Sequence, residues 1–78
     1  MKVIKRLAEQ MNDELCGAKE YITLALEYKD FRPDLADTYY RMAQNEITHY
    51  ESLHSHAVNI IQEQKNKNIS IPQKMLNK

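Results

Sequence analysis

The sequence predicts an all-α protein built as an antiparallel two-helix hairpin. Three observations predict it. Apolar residues recur at alternating steps of three and four along two long stretches, the spacing of one face of an α-helix. The chain holds one glycine and two prolines, so it has few places to turn and its elements must be long. A single short break, Lys29-Asp30-Phe31-Arg32-Pro33, separates the stretches, and a connection this short makes neighbouring helices antiparallel.

Helix one is expected from about Lys2 to about Lys29. It is rich in Ala, Leu, Glu and Lys, all good helix formers. Its seam reads Ile4, Leu7, Met11, Glu14, Ala18, Tyr21, Ala25 and Tyr28. Helix two is expected from about Pro33 to about Gln64. Pro33 suits a first helical turn, where its missing N–H costs nothing, and it biases Arg32 away from helical geometry. Asp34 and Asp37 follow where negative charge complements the helix dipole, and Lys65 and Lys67 lie near the other end. The second seam reads Leu35, Tyr39, Met42, Glu46, His49, Leu53, His56 and Ile60. From Asn66 the pattern fails: Asn66-Lys67-Asn68 reads as a stop and Ile69-Ser70-Ile71-Pro72 as extended chain. Residues 1–65 are therefore assigned to the hairpin, and 66–78 to a C-terminal tail or short third helix. Ile69, Ile71, Met75 and Leu76 are apolar enough to dock on a partner chain, or to lead into further sequence.

At 78 residues the chain amounts to one small domain with a limited core. Two helices cannot cover both of their apolar faces, so an oligomer of at least two copies is expected. A formal net charge of +0 gives no reason to expect a nucleic-acid or anionic-membrane partner. No apolar run approaches the ~20 residues that span a bilayer, and the N-terminal MKVIKRLAEQMNDEL lacks the apolar core of a signal peptide. The expected location is cytoplasmic. Cys16 stands alone, so neither a disulfide framework nor a cysteine zinc motif is present, and its expected role is that of a small hydrophobe.

Glu14, Glu46 and His49 fall on the apolar seams, where an uncompensated charge is costly. Glu14 lies about 17 residues before the centre of the break, roughly 25 Å along helix one, and Glu46 about 15 residues after it, roughly 23 Å along helix two. The three therefore meet at one height. Glu46-Ile47-Thr48-His49 is Glu-x-x-His, whose i and i+3 side chains point the same way. A metal ion accepts both carboxylate and imidazole. The neighbours at that height are small: Gly17, Ala18 and Ala43. A mid-helix glycine costs about 1 kcal/mol against alanine, so Gly17 should be explained by close helix approach or by room beside Glu14. The competing reading makes Glu14 and His49 a hydrogen-bonded pair inside a helical bundle. Tyr21 and Tyr39 read first as core aromatics, with hydrogen bonding to the carboxylates possible only across an interface. His54 and His56 read as surface or interface residues, and Asp13 and Glu20 as solvated. Leu15, Ile22 and Leu26, with Tyr40 and Ile47, form a second apolar strip that points to further association.

Two stretches, Glu14-Leu15-Cys16-Gly17-Ala18-Lys19-Glu20-Tyr21 and Met42-Ala43-Gln44-Asn45-Glu46-Ile47-Thr48-His49, resemble the ferritin-like superfamily, nearest its rubrerythrin branch. The resemblance covers roughly residues 7–56: a helix-one Glu with an aromatic seven residues on, a proline-containing hairpin, and a helix carrying Glu-x-x-His. That class holds two metals with a Glu from each of two helices and Glu-x-x-His from each of the other two. One copy of this chain has half of that set. The resemblance thus implies a ferritin-like four-helix bundle completed by homodimerisation, with Glu14, Glu46 and His49 of each chain as metal ligands. It implies di-iron as the cofactor, with Mn or Zn as alternatives, and ferroxidase or peroxide-consuming activity. The cysteine module of true rubrerythrins and any sequence like the shell-targeting peptide of the encapsulated ferritins are absent. Two other readings fit the same residues. One is a non-enzymatic helical interaction or assembly protein, a phage or bacterial accessory, with a structural or vestigial metal site. The other makes the chain the first half of a longer four-helix protein.

Overall fold

A computed structural model describes the backbone of residues 1–76 and the side chains of residues 1–67. It is all-helical, with α1 at Lys2–Tyr28 and α2 at Pro33–Leu76 packed against each other. No strand occurs among the described residues. No helix there is long and apolar enough to cross a membrane.

The turn forms as the proline predicts. The amides of Phe31 and Arg32 both donate to the Tyr28 carbonyl, at 3.2 and 2.7 Å, and so close the end of α1. Pro33 then opens α2, and the Ala36 amide donates to the Arg32 carbonyl at 2.9 Å. Asp34 stands in the first turn of α2, while Asp37 falls just beyond it. The Asp34 carboxylate accepts from the Arg32 guanidinium at 3.2 and 3.3 Å, which clasps the residues on either side of Pro33. That guanidinium hydrogen bond holds the Asp34 carboxyl below its ordinary range.

The seam between the helices is made of alanine. Among the described residues, Ala18 and Ala25 of α1 and Ala36, Ala43 and Ala57 of α2 are the buried apolar ones, and no large side chain is fully buried. Small residues let helix axes approach closely. They also leave the bulky side chains at the flanks of the seam, half-covered. The α1 series from Ile4 to Tyr28 is half-buried or buried throughout, as its spacing predicts. Along α2 the phase differs from expectation at two places. His49 and His56 are exposed, and the covered line runs through Glu46, Tyr50, Leu53, Ala57 and Ile60. Both lines obey three-and-four spacing. The helix turns Tyr50 and Ala57 inward because an aromatic ring and a methyl lose more by exposure than an imidazole does.

Tyr39 stacks between Tyr21 and Tyr28, with ring centroids 6.2 and 6.1 Å away. This aromatic cluster spans the seam between the site and the turn. Each such pair contributes about 0.5–1.5 kcal/mol beyond the area it buries.

The second helix does not stop near Gln64. It continues through Asn66–Asn68 and Pro72 to Leu76, so the segment expected as a tail or third helix extends α2. The stop fails because no residue there adopts the left-handed backbone that ends a helix; among the described residues no φ is positive. Residues 77 and 78 lie outside the described residues. Since Glu14 faces His49 and Gly17 faces Glu46, the start of α1 lies level with about residue 61, and α2 runs on alone for some 15 residues, roughly 22 Å. The result is a rod of 72 × 16 × 12 Å with a radius of gyration of 19.7 Å, against about 11–12 Å for a compact chain of this length.

Candidate metal centre

Glu14 sits at mid-length of α1, and Glu46 and His49 sit one turn apart on α2. Antiparallel packing brings them together as their equal distances from the turn predict. Glu14, Glu46 and His49 each offer one ligand atom, and these atoms all lie within 4.8 Å of one another. Two ligands each about 2 Å from a common ion are at most about 4 Å apart, so the three need only small rotations to share one. Both glutamates are half-buried, while His49 is on the rim with 60% of its side chain exposed.

His49 Nδ1 lies 3.4 Å from Glu14 Oε2. With its proton on Nδ1 the imidazole donates a long hydrogen bond to that carboxylate, which is the contact the paired-residue reading expects. That contact leaves Glu46 without a counter-charge of its own. The Glu46 carboxyl is pushed above its ordinary value of 4.5, first by a hydrogen bond with the Glu14 carboxyl, which protonated Glu46 can donate, then by partial desolvation and the Glu14 charge. His49 opposes the shift only weakly, being last among the causes. A carboxyl whose proton affinity is raised by a neighbouring carboxylate marks a site short of positive charge. A proton on Glu46 relieves it at low pH.

Gly17 explains how Glu46 fits. A Cβ built on Gly17 would meet Glu46 Oε2 at 3.1 Å and its Cδ at 3.4 Å. Of the two reasons expected for this glycine, the structure shows the close approach: the space is occupied by the Glu46 carboxylate arriving from the other helix. Ala18 and Ala43 complete the narrow crossing. Thr48, between Glu46 and His49, donates its hydroxyl to the Gln44 carbonyl at 3.1 Å.

An open hollow beside the triad is lined by Gln10, Asp13, Ser52 and Leu53 along with Glu14 and His49. Asp13 is exposed, as expected, while Gln10 and Ser52 are not among the expected site residues. Their spacing carried a signal, since Gln10 is one turn before Glu14 and Ser52 one turn after His49. Tyr21 and Tyr39 stack on each other rather than serving the site within one chain. Glu20 and His56 are exposed, and His54 stacks on Tyr50 at 5.9 Å. Cys16 is exposed as well, so it is not the buried small hydrophobe expected of it.

Leu15, Ile22, Leu26, Tyr40 and Ile47 are 40, 38, 62, 53 and 39% exposed. Helical phase places them across the seam from the triad. Leu26 and Tyr40 line one hollow near the turn with Ala25, Ala36 and Asp37. Comparison of the chain with family models, with curated proteins and with solved structures finds no match.

Proposed function

We propose that this chain is one half of a ferritin-like di-metal carboxylate protein. Two copies would meet over their Glu14, Glu46 and His49 faces and hold two metal ions between them, di-iron before Mn or Zn. The observation that carries this reading is the convergence of the triad at one height, with Gly17 clearing space for a carboxylate that His49 compensates only weakly. The donor set fits the group: carboxylates favour hard, higher-valent ions, and a histidine suits iron, zinc and manganese alike. Three ligands leave coordination positions open, as reactive rather than purely structural sites do. When bound, a di-iron pair would supply the redox chemistry of Fe(II) oxidation or peroxide consumption. The chain's own part is to orient Glu46 against Gly17, to hold Glu14 by the His49 contact, and to keep the glutamates away from bulk water.

The test is elemental analysis of the purified protein together with its native mass. Two metals per two chains is the expected result, and Glu46→Ala should abolish binding. Stoichiometric metal retained by Glu46→Ala would sink the proposal. The exposed Leu15, Ile22 and Leu26 strip favours a second reading, a non-enzymatic assembly protein with a structural metal. Tightly held zinc, with no oxygen uptake when Fe(II) is added, would select that reading.

A further inference from the structure

A second Glu-x-x-His stands on α2. Glu51-Ser52-Leu53-His54 repeats the spacing of Glu46 and His49, so its carboxylate and imidazole also leave the helix one turn apart on one face. That face is a different one. His54 is five residues beyond His49, roughly 140° around the helix at 3.6 residues per turn. The hollow beside the triad is lined by Ser52 and Leu53 but by neither Glu51 nor His54. Ile47, Glu51, His54, Val58 and Ile61 recur at steps of four, three, four and three, and so form one stripe of α2. All five are exposed, Ile47, Val58 and Ile61 by 39, 46 and 42%. The His54 ring lies on that of Tyr50, with centroids 5.9 Å apart and planes 12° from parallel. Tyr50 is half-buried, so it gives this surface imidazole a fixed platform.

We propose that Glu51 and His54 are half of a second metal site, completed by the same pair from another copy of the chain, the two pairs holding one Zn(II) ion between two α2 helices. This site rests neither on the triad nor on its two-copy reading. Ile47 stands four residues before Glu51, and Val58 four after His54. A contact that covers both apolar side chains therefore covers the polar pair between them. An uncompensated carboxylate enclosed there is costly, and two Glu51 carboxylates brought together repel. One zinc ion removes both penalties. Its two positive charges balance the two carboxylates, and two carboxylates with two imidazoles make the tetrahedral four-ligand set of a structural zinc. A second copy is the occupant because the stripe is complementary to itself. A two-fold axis crossing α2 midway between Glu51 and His54 sets Ile47 of each copy against Val58 of the other. It also sets Glu51 of each copy beside His54 of the other, around the axis on which the ion sits. A wholly apolar stripe would associate unconditionally; this one associates when zinc is bound.

The test separates this site from the triad. A Glu14→Gln, Glu46→Gln background leaves His49 without its carboxylates. In it, added Zn(II) should bind at one ion per two chains and double the native mass. His54→Ala in that background should abolish both effects, with helical circular dichroism unchanged because His54 is exposed. Glu51→Gln should weaken both. A second measurement needs no altered triad. With zinc in excess of the triad's need, the wild type should reach a greater native mass than His54→Ala, since contacts about two separate axes extend an assembly. A background protein that stays monomeric in excess zinc, or that binds zinc and doubles in mass equally well without His54, would overturn the proposal and leave the triad untouched. Metal that persists in the Glu14→Gln, Glu46→Gln protein and disappears with His54→Ala would instead defeat the triad reading and leave this site standing.

Discussion

Gly17 and Glu46 show how one side chain's absence serves another. Replacing Gly17 with alanine removes a helix penalty of about 1 kcal/mol, and the 3.1 Å contact it creates is with the end of a flexible side chain. Gly17→Ala should therefore raise the thermal midpoint of the metal-free protein while weakening metal affinity. Displacing groups around a ligand typically costs 10–100-fold, and a competition titration with a chelator would read that loss. An unchanged affinity would show that Glu46 does not need the space. Glu46 also sets a pH dependence. Its folded proton affinity exceeds its unfolded one, so it adds stability to the metal-free protein below its ordinary value of 4.5, and this is lost as pH rises through the raised value. Asp34 works in the opposite sense. Its lowered affinity adds stability above 3.8 that disappears as pH falls below it. The urea midpoint of wild type minus that of Glu46→Gln, followed across pH, isolates the first effect and should fall with rising pH.

Among the elements, α1 was the more legible. Every residue of its predicted seam is covered, because the eight-residue series from Ile4 to Tyr28 runs the length of the helix and outweighs the shorter strip of Leu15, Ile22 and Leu26. Along α2 the choice was between two three-and-four lines that share Glu46, Leu53 and Ile60. Spacing alone cannot tell them apart; what separates them is the greater gain from covering Tyr50 and Ala57 than His49 and His56. The continuation to Leu76 was hidden for a different reason. Asparagine and proline discourage helix without supplying a stop, and α2 has no glycine at all. The triad itself was readable because its height depends only on residue counts from the turn. The fit of Glu46 against Gly17 was not, since the phase of one helix against another is set by packing. The alanine seam yields its own prediction. Ala43 is 1% exposed, and Ala43→Leu should destabilise the hairpin by about 1–3 kcal/mol through overpacking. A denaturation curve would measure it, and a null effect would mean that the helices separate without cost.

For the molecule as a whole, metal content and association should rise and fall together. On the proposed reading, a hairpin with half a ligand set would not hold ions tightly alone, and two such faces would not meet while four carboxylates repel. Chelation is thus expected to shift the native mass from dimer toward monomer, and added Zn(II) to restore it. A metal-free dimer of unchanged mass would separate association from the metal.

The alanine seam carries one more consequence. With alanine methyls the apolar groups buried among the described residues, an isolated chain gains little by folding, since large domains owe their stability to large buried side chains. Most of the apolar surface that could be withdrawn from water belongs to the faces, which a lone hairpin leaves wet. In the proposed two-copy protein, folding and association would form one equilibrium, whose midpoint moves with the quantity of protein in the tube. For such a chain, dilution acts as a denaturant.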